Sequence, residues 1–426
     1  MEYFIIQGEQ KFGGEILIGG AKNAALPIFF AAILGTEEIV LNNVPNLTDI
    51  KYTCNIFKNL GAQVEADLAN NKVVLRPQDI KNYVVPYELA SKMRASIWAL
   101  APLVAKYGYG KVSLPGGCAI GSRPVDMHLD ALKKLGATIE FDEGYVIATA
   151  KDGLKGANIF FDKVSVGATV SAVCAAVLAK GVSHIENVAM EPEVVDVCNF
   201  LIALGAKIDG VGSKVLTITG VEQLKGVSNY EIIPDRIECG TYLIAAAISR
   251  SKVTCHNVNP KHMEATLAKL SEAGAQISIS GNSITCDMAG RRPKSVNIIT
   301  APYPGIATDM QAQFTLLNSL AEGNSVVTET IFENRFMHVP ELQRMGAKIS
   351  QNGNTIYIQG VEQLSGAHVK ATDLRASISL VLAGCVAKGH TYVNEIYHID
   401  RGYEAIEQRM KQIGCTITRE QNQESI

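Results

Sequence analysis

The 426-residue sequence is short of the features that mark several protein classes. Its charges nearly cancel, with 39 Lys+Arg against 42 Asp+Glu and a formal net charge of −3, so no basic field is available to hold a nucleic-acid backbone. Aromatic residues make up only 6% and include a single tryptophan, which leaves little for base stacking. No stretch reaches about 18 uninterrupted apolar residues, and the start, Met1-Glu2-Tyr3-Phe4, places no basic region before an apolar run. A cytoplasmic protein with no membrane span and no nucleic-acid partner is expected. The nine cysteines are odd in number and never spaced C-x-x-C, which indicates neither a disulfide framework nor a zinc site, and most read as reduced core residues. G-x-S-x-G, H-E-x-x-H and a nucleotide-binding G-x-G-x-x-G are also missing, so hydrolase, zincin and Rossmann chemistries lack their residues. Trp98, His128 and Met337-His338, taken singly, read as packing or capping residues, and no metal is assigned.

What is present is ordinary soluble composition, 47% hydrophobic and 19% charged, over a length that suggests two or three domains and excludes a disordered or coiled-coil chain. A phrase of apolar residue, glycine and small residue recurs six times, at Leu60-Gly61-Ala62, Leu135-Gly136-Ala137, Leu204-Gly205-Ala206, Ala273-Gly274-Ala275, Met345-Gly346-Ala347 and Ile413-Gly414-Cys415, about every 70 residues. Each follows a stretch with apolar residues at helical spacing, and its glycine suits a left-handed helix cap. Strands should come next: hairpins are expected around Gly353-Asn354 and around Gly281-Asn282.

Between these phrases lie segments that are small and apolar on nearly every side: 21–33, 94–105, 167–179, 240–248, 307–320 and 376–387. Helices without a polar face must be buried all round. Each repeat therefore holds one amphipathic helix, one buried helix and several short strands. It cannot bury itself alone, so six repeats predict an α/β protein of two domains, each made of three repeats around their buried helices. The starts of the buried helices carry Lys22-Asn23, Arg94, Lys163 with Ser165, Asp235-Arg236, Thr308-Asp309 and Asp373 with Arg375. For Ser165, Thr308, Asp235 and Asp373, helix capping accounts for the residue type. It fails for Lys22, Arg94 and Arg375, because a helix N-terminus disfavours a cation, and these point instead to a site for phosphates and carboxylates. The run Pro115-Gly116-Gly117-Cys118-Ala119-Ile120-Gly121-Ser122-Arg123-Pro124 reads as a loop, and Cys118 is the one cysteine placed near a cation outside an apolar helix, where thiols react.

The stretches Gly19-Gly20-Ala21-Lys22-Asn23-Ala24-Ala25-Leu26-Pro27, 115–126 and Thr308-Asp309-Met310-Gln311-Ala312-Gln313-Phe314 closely resemble the UDP-N-acetylglucosamine 1-carboxyvinyltransferase family of enolpyruvyl transferases. Lys163–Thr169, Pro234–Glu238, Phe332–His338 and Asp400–Glu404 extend the likeness along the chain. The resemblance implies an inside-out α/β barrel fold of two domains, each of three βαβαββ units, with residues 1–21 and 236–426 in one domain, 22–235 in the other and the active site in the cleft between them. It implies transfer of the enolpyruvyl group of phosphoenolpyruvate to the 3′-hydroxyl of UDP-N-acetylglucosamine with release of phosphate, the first committed step of peptidoglycan synthesis, without a cofactor. Lys22, Arg123 and Arg401 would hold phosphoenolpyruvate, with Asn23 and Arg94 beside them. Arg123, Pro124, Val125, Asp126, Met127, Lys163, Val164, Ser165, Val166, Asp309, Ile331 and Phe332 would grip the sugar nucleotide, and Arg335 and Arg375 would line the reacting centre. Cys118 would donate the proton and be alkylated by fosfomycin. Asp309 would accept the hydroxyl proton, or orient the hydroxyl and stabilise charge. The alternatives are an enzyme of the 5-enolpyruvylshikimate-3-phosphate synthase type and a catalytically silent sensor of sugar nucleotides.

Overall fold

All six recurring glycines end helices in the same way. Gly61, Gly136, Gly205, Gly274, Gly346 and Gly414 adopt φ between 89° and 111°, and the N–H of the next residue reaches back to the last turn, as in Ala62 to Phe57, Ala137 to Leu132 and Cys415 to Met410. This Schellman closure needs a left-handed residue, which is why glycine recurs and why each amphipathic helix stops there. The computed structural model describes residues 1–114 and 125–422, so Cys118, Arg123 and Pro124 lie outside the described residues.

Six four-stranded sheets are present among the described residues, and one plan serves them all. In the fifth repeat, Ile298–Ile299 runs parallel to Asn324–Thr328, which is antiparallel to Thr355–Gln359, which closes a hairpin with Lys348–Asn352. The apolar helix Gln311–Leu320 joins the first two strands, and the helix His338–Arg344 joins the second to the hairpin, giving βαβαββ. Both expected hairpins form, with Asn352 opposite Thr355 and Ser280 opposite Ser283. Alternation decides the faces: Ile356 and Ile358 are buried, whereas Tyr357 between them is 49% exposed.

The chain divides into two compact units, one made of Met1–Gly19 with the described residues from Pro234 on, the other of the described residues from Gly20 to Ile233. Two strands are placed out of sequence order. Gly14–Leu17 precedes the first apolar helix but pairs in parallel with Lys252–His256, while Val227–Glu231 precedes Arg236–Ile248 but pairs in parallel with Ile39–Asn42. Glu2–Gln7 also enters the later unit, between His390–Asn394 and Thr418–Gln421. At the crossing Gly20 has no room for a side chain, since a Cβ there would sit 1.7 Å from the Asn43 carbonyl oxygen.

Each unit has its own hydrophobic core, and the apolar helices run through it. In Lys22–Ala31 every residue but Asn23 is buried, and Gln311–Leu320 is buried throughout. Arg236–Ile248, Gln311–Leu320 and Ala376–Val386 pack on one another in the later unit. The amphipathic helices keep one wet face, as in Thr48–Leu60, which buries Ile50, Cys54, Ile56, Phe57 and Leu60. This is the helices-inside, sheets-outside α/β architecture expected from the repeats. The eight cysteines among the described residues are free and buried, and burial pushes the Cys54 thiol up to about 11. No helix among the described residues is long and apolar enough to cross a membrane.

Candidate active site

In the Gly20–Ile233 unit the cation at the first apolar helix is a buried one. Lys22 opens Lys22–Ala31 with 5% of its surface exposed, and its Nζ lies 2.9 Å from Oδ2 of Asp49, itself 1% exposed. Asp49 stands in the first turn of Thr48–Leu60, where a carboxylate suits the helix dipole, so one group serves both the helix and the lysine. Asn23 is exposed. Arg94 begins the short helical turn Arg94–Ala99 and is half-buried.

Three of the segments named above meet around one histidine. His128, from the Asp126–Lys134 helix, is buried with Nδ1 2.6 Å from the Ser171 hydroxyl of the Val166–Ala176 helix. Trp98 Nε1 donates to the Gly167 carbonyl at 3.0 Å, and a Cβ on Gly167 would stand 2.9 Å from His128 Nε2, so this glycine is required by close packing. Burial, helped by the charge of Arg94, lowers the His128 pKa to about 4, and the ring is neutral at pH 7. The turn that Arg94 begins and the helices that follow Val125 and Ser165 are thereby packed together. Ser165 caps its helix by accepting from Ala168 N–H, Lys163 and Asp126 are exposed, and Val125, Met127, Val164 and Val166 are half-buried.

In the later unit the charges interlock. Arg335 and Arg375 are 5% and 2% exposed. Asp309 Oδ1 lies 2.9 Å from Arg335 Nη1, and its Oδ2 lies 3.4 Å from Arg375 Nε. Arg375 Nη2 is 3.6 Å from Asp235, and Arg335 Nη2 is 3.8 Å from Asp373. Asp235 and Asp373 cap helices at the same time, accepting from Ile237 and Glu238 N–H and from Arg375 and Ala376 N–H. Burial alone would lower both arginine pKa values; the neighbouring carboxylates outweigh it and raise them, so both stay charged. Arg335 sits over the Phe332 ring at 5.5 Å and Arg375 over the Tyr403 ring at 5.4 Å, contacts that favour a desolvated guanidinium.

Capping thus holds for Ser165, Asp235 and Asp373 but not for Thr308, whose hydroxyl donates instead to the Glu329 carboxylate at 2.8 Å. Of the three cations read as an anion site, Lys22 has Asp49 beside it and Arg375 has Asp235 and Asp309. Half-buried Arg401 follows the short helix Tyr397–Asp400. Asp400 is gripped by Arg419 through two bonds of 2.7 and 2.9 Å, and Arg419 also pairs with Glu2 and Glu407. Sequence reading missed Asp49 and Arg419. The only signal for Asp49 was an acidic residue in a first helical turn, and Arg419 gave none, because its partners lie 12 to 417 residues away.

In a unit built from three βαβαββ repeats, the half-buried Asp309 carboxylate is held between two buried guanidinium groups, on a fold of the enolpyruvyl-transferase type. The model of the EPSP synthase (3-phosphoshikimate 1-carboxyvinyltransferase) family matches residues 6–410. Proteins named UDP-N-acetylglucosamine 1-carboxyvinyltransferase from Escherichia fergusonii and Haemophilus ducreyi are 57% and 58% identical over 98% of the chain, covering 99% and 98% of their own lengths. The enolpyruvyl transferase NikO from Streptomyces tendae superposes with a TM-score of 0.88 at 22% identity, over 98% of each chain, and EPSP synthase from Acinetobacter baumannii with 0.73 at 18%, over 99% of this chain and 100% of that one. The chain belongs to the EPSP synthase family of transferases and, within it, to the group of UDP-N-acetylglucosamine 1-carboxyvinyltransferases.

Proposed function

We propose that this chain transfers the enolpyruvyl group of phosphoenolpyruvate to the 3′-hydroxyl of UDP-N-acetylglucosamine, releasing phosphate at the first committed step of peptidoglycan synthesis in the cytoplasm. The observation that carries this reading is the near-full-length identity to relatives bearing that activity in their name. The clamped Asp309 supports it from the chemical side. The reaction adds the sugar oxygen to C2 of phosphoenolpyruvate while C3 gains a proton. The C2–O bond to phosphate then breaks as C3 loses a proton, which restores the double bond. Charge builds on the phosphate and carboxylate, and a proton must leave the hydroxyl. Lys22, Arg123 and Arg401, with Asn23 and Arg94, bind phosphoenolpyruvate. Arg123–Met127, Lys163–Val166, Ile331 and Phe332 bind the sugar nucleotide. Cys118 delivers the proton to C3, a role open to a thiol that is mostly protonated at neutral pH. Asp309 receives or orients the hydroxyl proton, and Arg335 and Arg375 hold its carboxylate in place.

The test is phosphate release from phosphoenolpyruvate with UDP-N-acetylglucosamine, run beside shikimate 3-phosphate and beside a Cys118→Ser variant. Release with the sugar nucleotide alone, lost in the variant and after fosfomycin treatment, is the expected outcome. The family model's description favours one second reading, transfer to a shikimate phosphate, and release with that acceptor would establish it instead. Release with neither acceptor would leave binding without catalysis.

A further inference from the structure

Glu329 is a buried carboxylate, 2% exposed, that the scheme above does not use. It follows the strand Asn324–Thr328 and accepts five hydrogen bonds. Oε2 takes the Thr300 hydroxyl at 2.9 Å and the backbone N–H groups of Ile331 at 2.8 Å and Phe332 at 3.3 Å. Oε1 takes the Thr308 hydroxyl at 2.8 Å and Gln311 Nε2 at 3.4 Å. The two oxygens therefore face two different parts of the site. One holds the turn that carries Ile331 and Phe332. The other holds the residue before Asp309, together with the Gln311 amide, which also donates to the Arg335 carbonyl at 2.8 Å. Thr308 in turn accepts from Arg335 Nη1 at 3.5 Å.

A carboxylate this deep is retained only if its acceptor capacity is filled, and here it is filled by groups on both sides of the proposed reacting centre. We infer that Glu329 is a positioning residue that fixes the distance between the sugar-binding turn Ile331-Phe332 and Asp309, and so sets where the acceptor hydroxyl lies relative to the carboxylate that handles its proton. The inference rests on the proposed function. Glu329 touches no substrate in this scheme; it acts through Thr308 on one side and through two backbone N–H groups on the other.

Two variants of the full-length protein test it. In Glu329→Gln one oxygen becomes an amide, so one of the two sets of donors faces a donor. The KM for UDP-N-acetylglucosamine is expected to rise roughly ten-fold with a lower kcat, while the KM for phosphoenolpyruvate stays within about two-fold. Thr308→Val cuts only the Asp309 branch at a half-buried position and should lower kcat while leaving the KM for the sugar nucleotide near that of the parent. Equal changes in both KM values, or a Thr308→Val variant indistinguishable from the parent, would overturn the inference. If Glu329→Gln fails to fold, Thr308→Val decides alone. Failure of the functional reading itself is visible separately, because the parent protein would then show no turnover with UDP-N-acetylglucosamine.

Discussion

The two units meet the same physical problem in different ways. Both place a buried cation at the start of an apolar helix, where the helix dipole opposes it. In the Gly20–Ile233 unit Lys22 sits beside Asp49 as a close pair, while Asn23 and Lys163 face solvent and Arg94 is half-buried. In the later unit Arg335 and Arg375 share Asp309, and the carboxylates that neutralise them also cap helices. The first arrangement meets its buried cation with a close carboxylate and leaves Lys163 exposed. The second makes a rigid frame around one carboxylate, suited to holding a hydroxyl at a fixed angle. Copies of one repeat thus differ in how charge is shared at their helix starts, while the plan of strands and helices stays the same.

Breaking the frame should cost most. Asp309→Asn is expected to lower kcat about 100- to 10,000-fold in the phosphate-release assay, because it removes the proposed proton acceptor and the one aspartate that both buried guanidinium groups share. The close pair should show in stability. Asp49→Ala leaves Lys22 buried without that carboxylate and should destabilise the protein by about 3–5 kcal/mol in urea unfolding. Replacing both by apolar residues, Lys22→Met with Asp49→Leu, should recover most of that stability while activity stays lost. If Asp49→Ala unfolds no more easily than the parent, the pair is not the structural counterpart of the arginine frame.

A smaller effect follows pH. His128 titrates near 4 in the folded chain against 6.5 when unfolded, so the unfolded chain takes up the proton first. Stability is unaffected above pH 6.5 and falls as pH drops through the window from 6.5 to 4, the loss reaching about 3 kcal/mol at the bottom. Buried Asp196 and Glu238, raised to about 6 and about 7 chiefly by burial, act in the opposite direction, favouring the fold as pH falls through the same region. The difference between the parent and His128→Asn, followed as Tm against pH, isolates the histidine. A variant with the same slope as the parent would remove His128 from the account. Smallest and equal in both units should be Gly136→Ala and Gly346→Ala, about 1 kcal/mol each by thermal melts, since both glycines close Schellman caps with open space around them.

Much of this was legible beforehand because it is local. A glycine after an amphipathic helix must supply a left-handed turn, and a helix with no polar face must be buried, so repeat number, helix type and hairpins follow from spacing. The cations at helix starts stood out because nothing local favours them there. What stayed hidden is non-local: Arg375 beside Asp235, Arg335 beside Asp309, Glu329 reaching Thr300 and Thr308, and Arg419 holding Glu2 across the chain. Thr308 shows the limit well, because its type and place fit a cap, yet its hydroxyl is taken by a carboxylate 21 residues further on.

By itself, then, the sequence determined the repeat, the α/β class and the buried and amphipathic helices, all of which depend on periodicity and on residue types read within a few turns of chain, while its motifs carried the resemblance to the family. Tertiary structure alone decided which charges neutralise which, that Gly14–Leu17 and Val227–Glu231 exchange places between sheets, and that one carboxylate ties Thr308 to the turn at Ile331. The physical reason is that backbone conformation is set by neighbours along the chain, whereas a buried charge can be satisfied by any partner the fold brings within about 3–4 Å, whatever its distance in sequence.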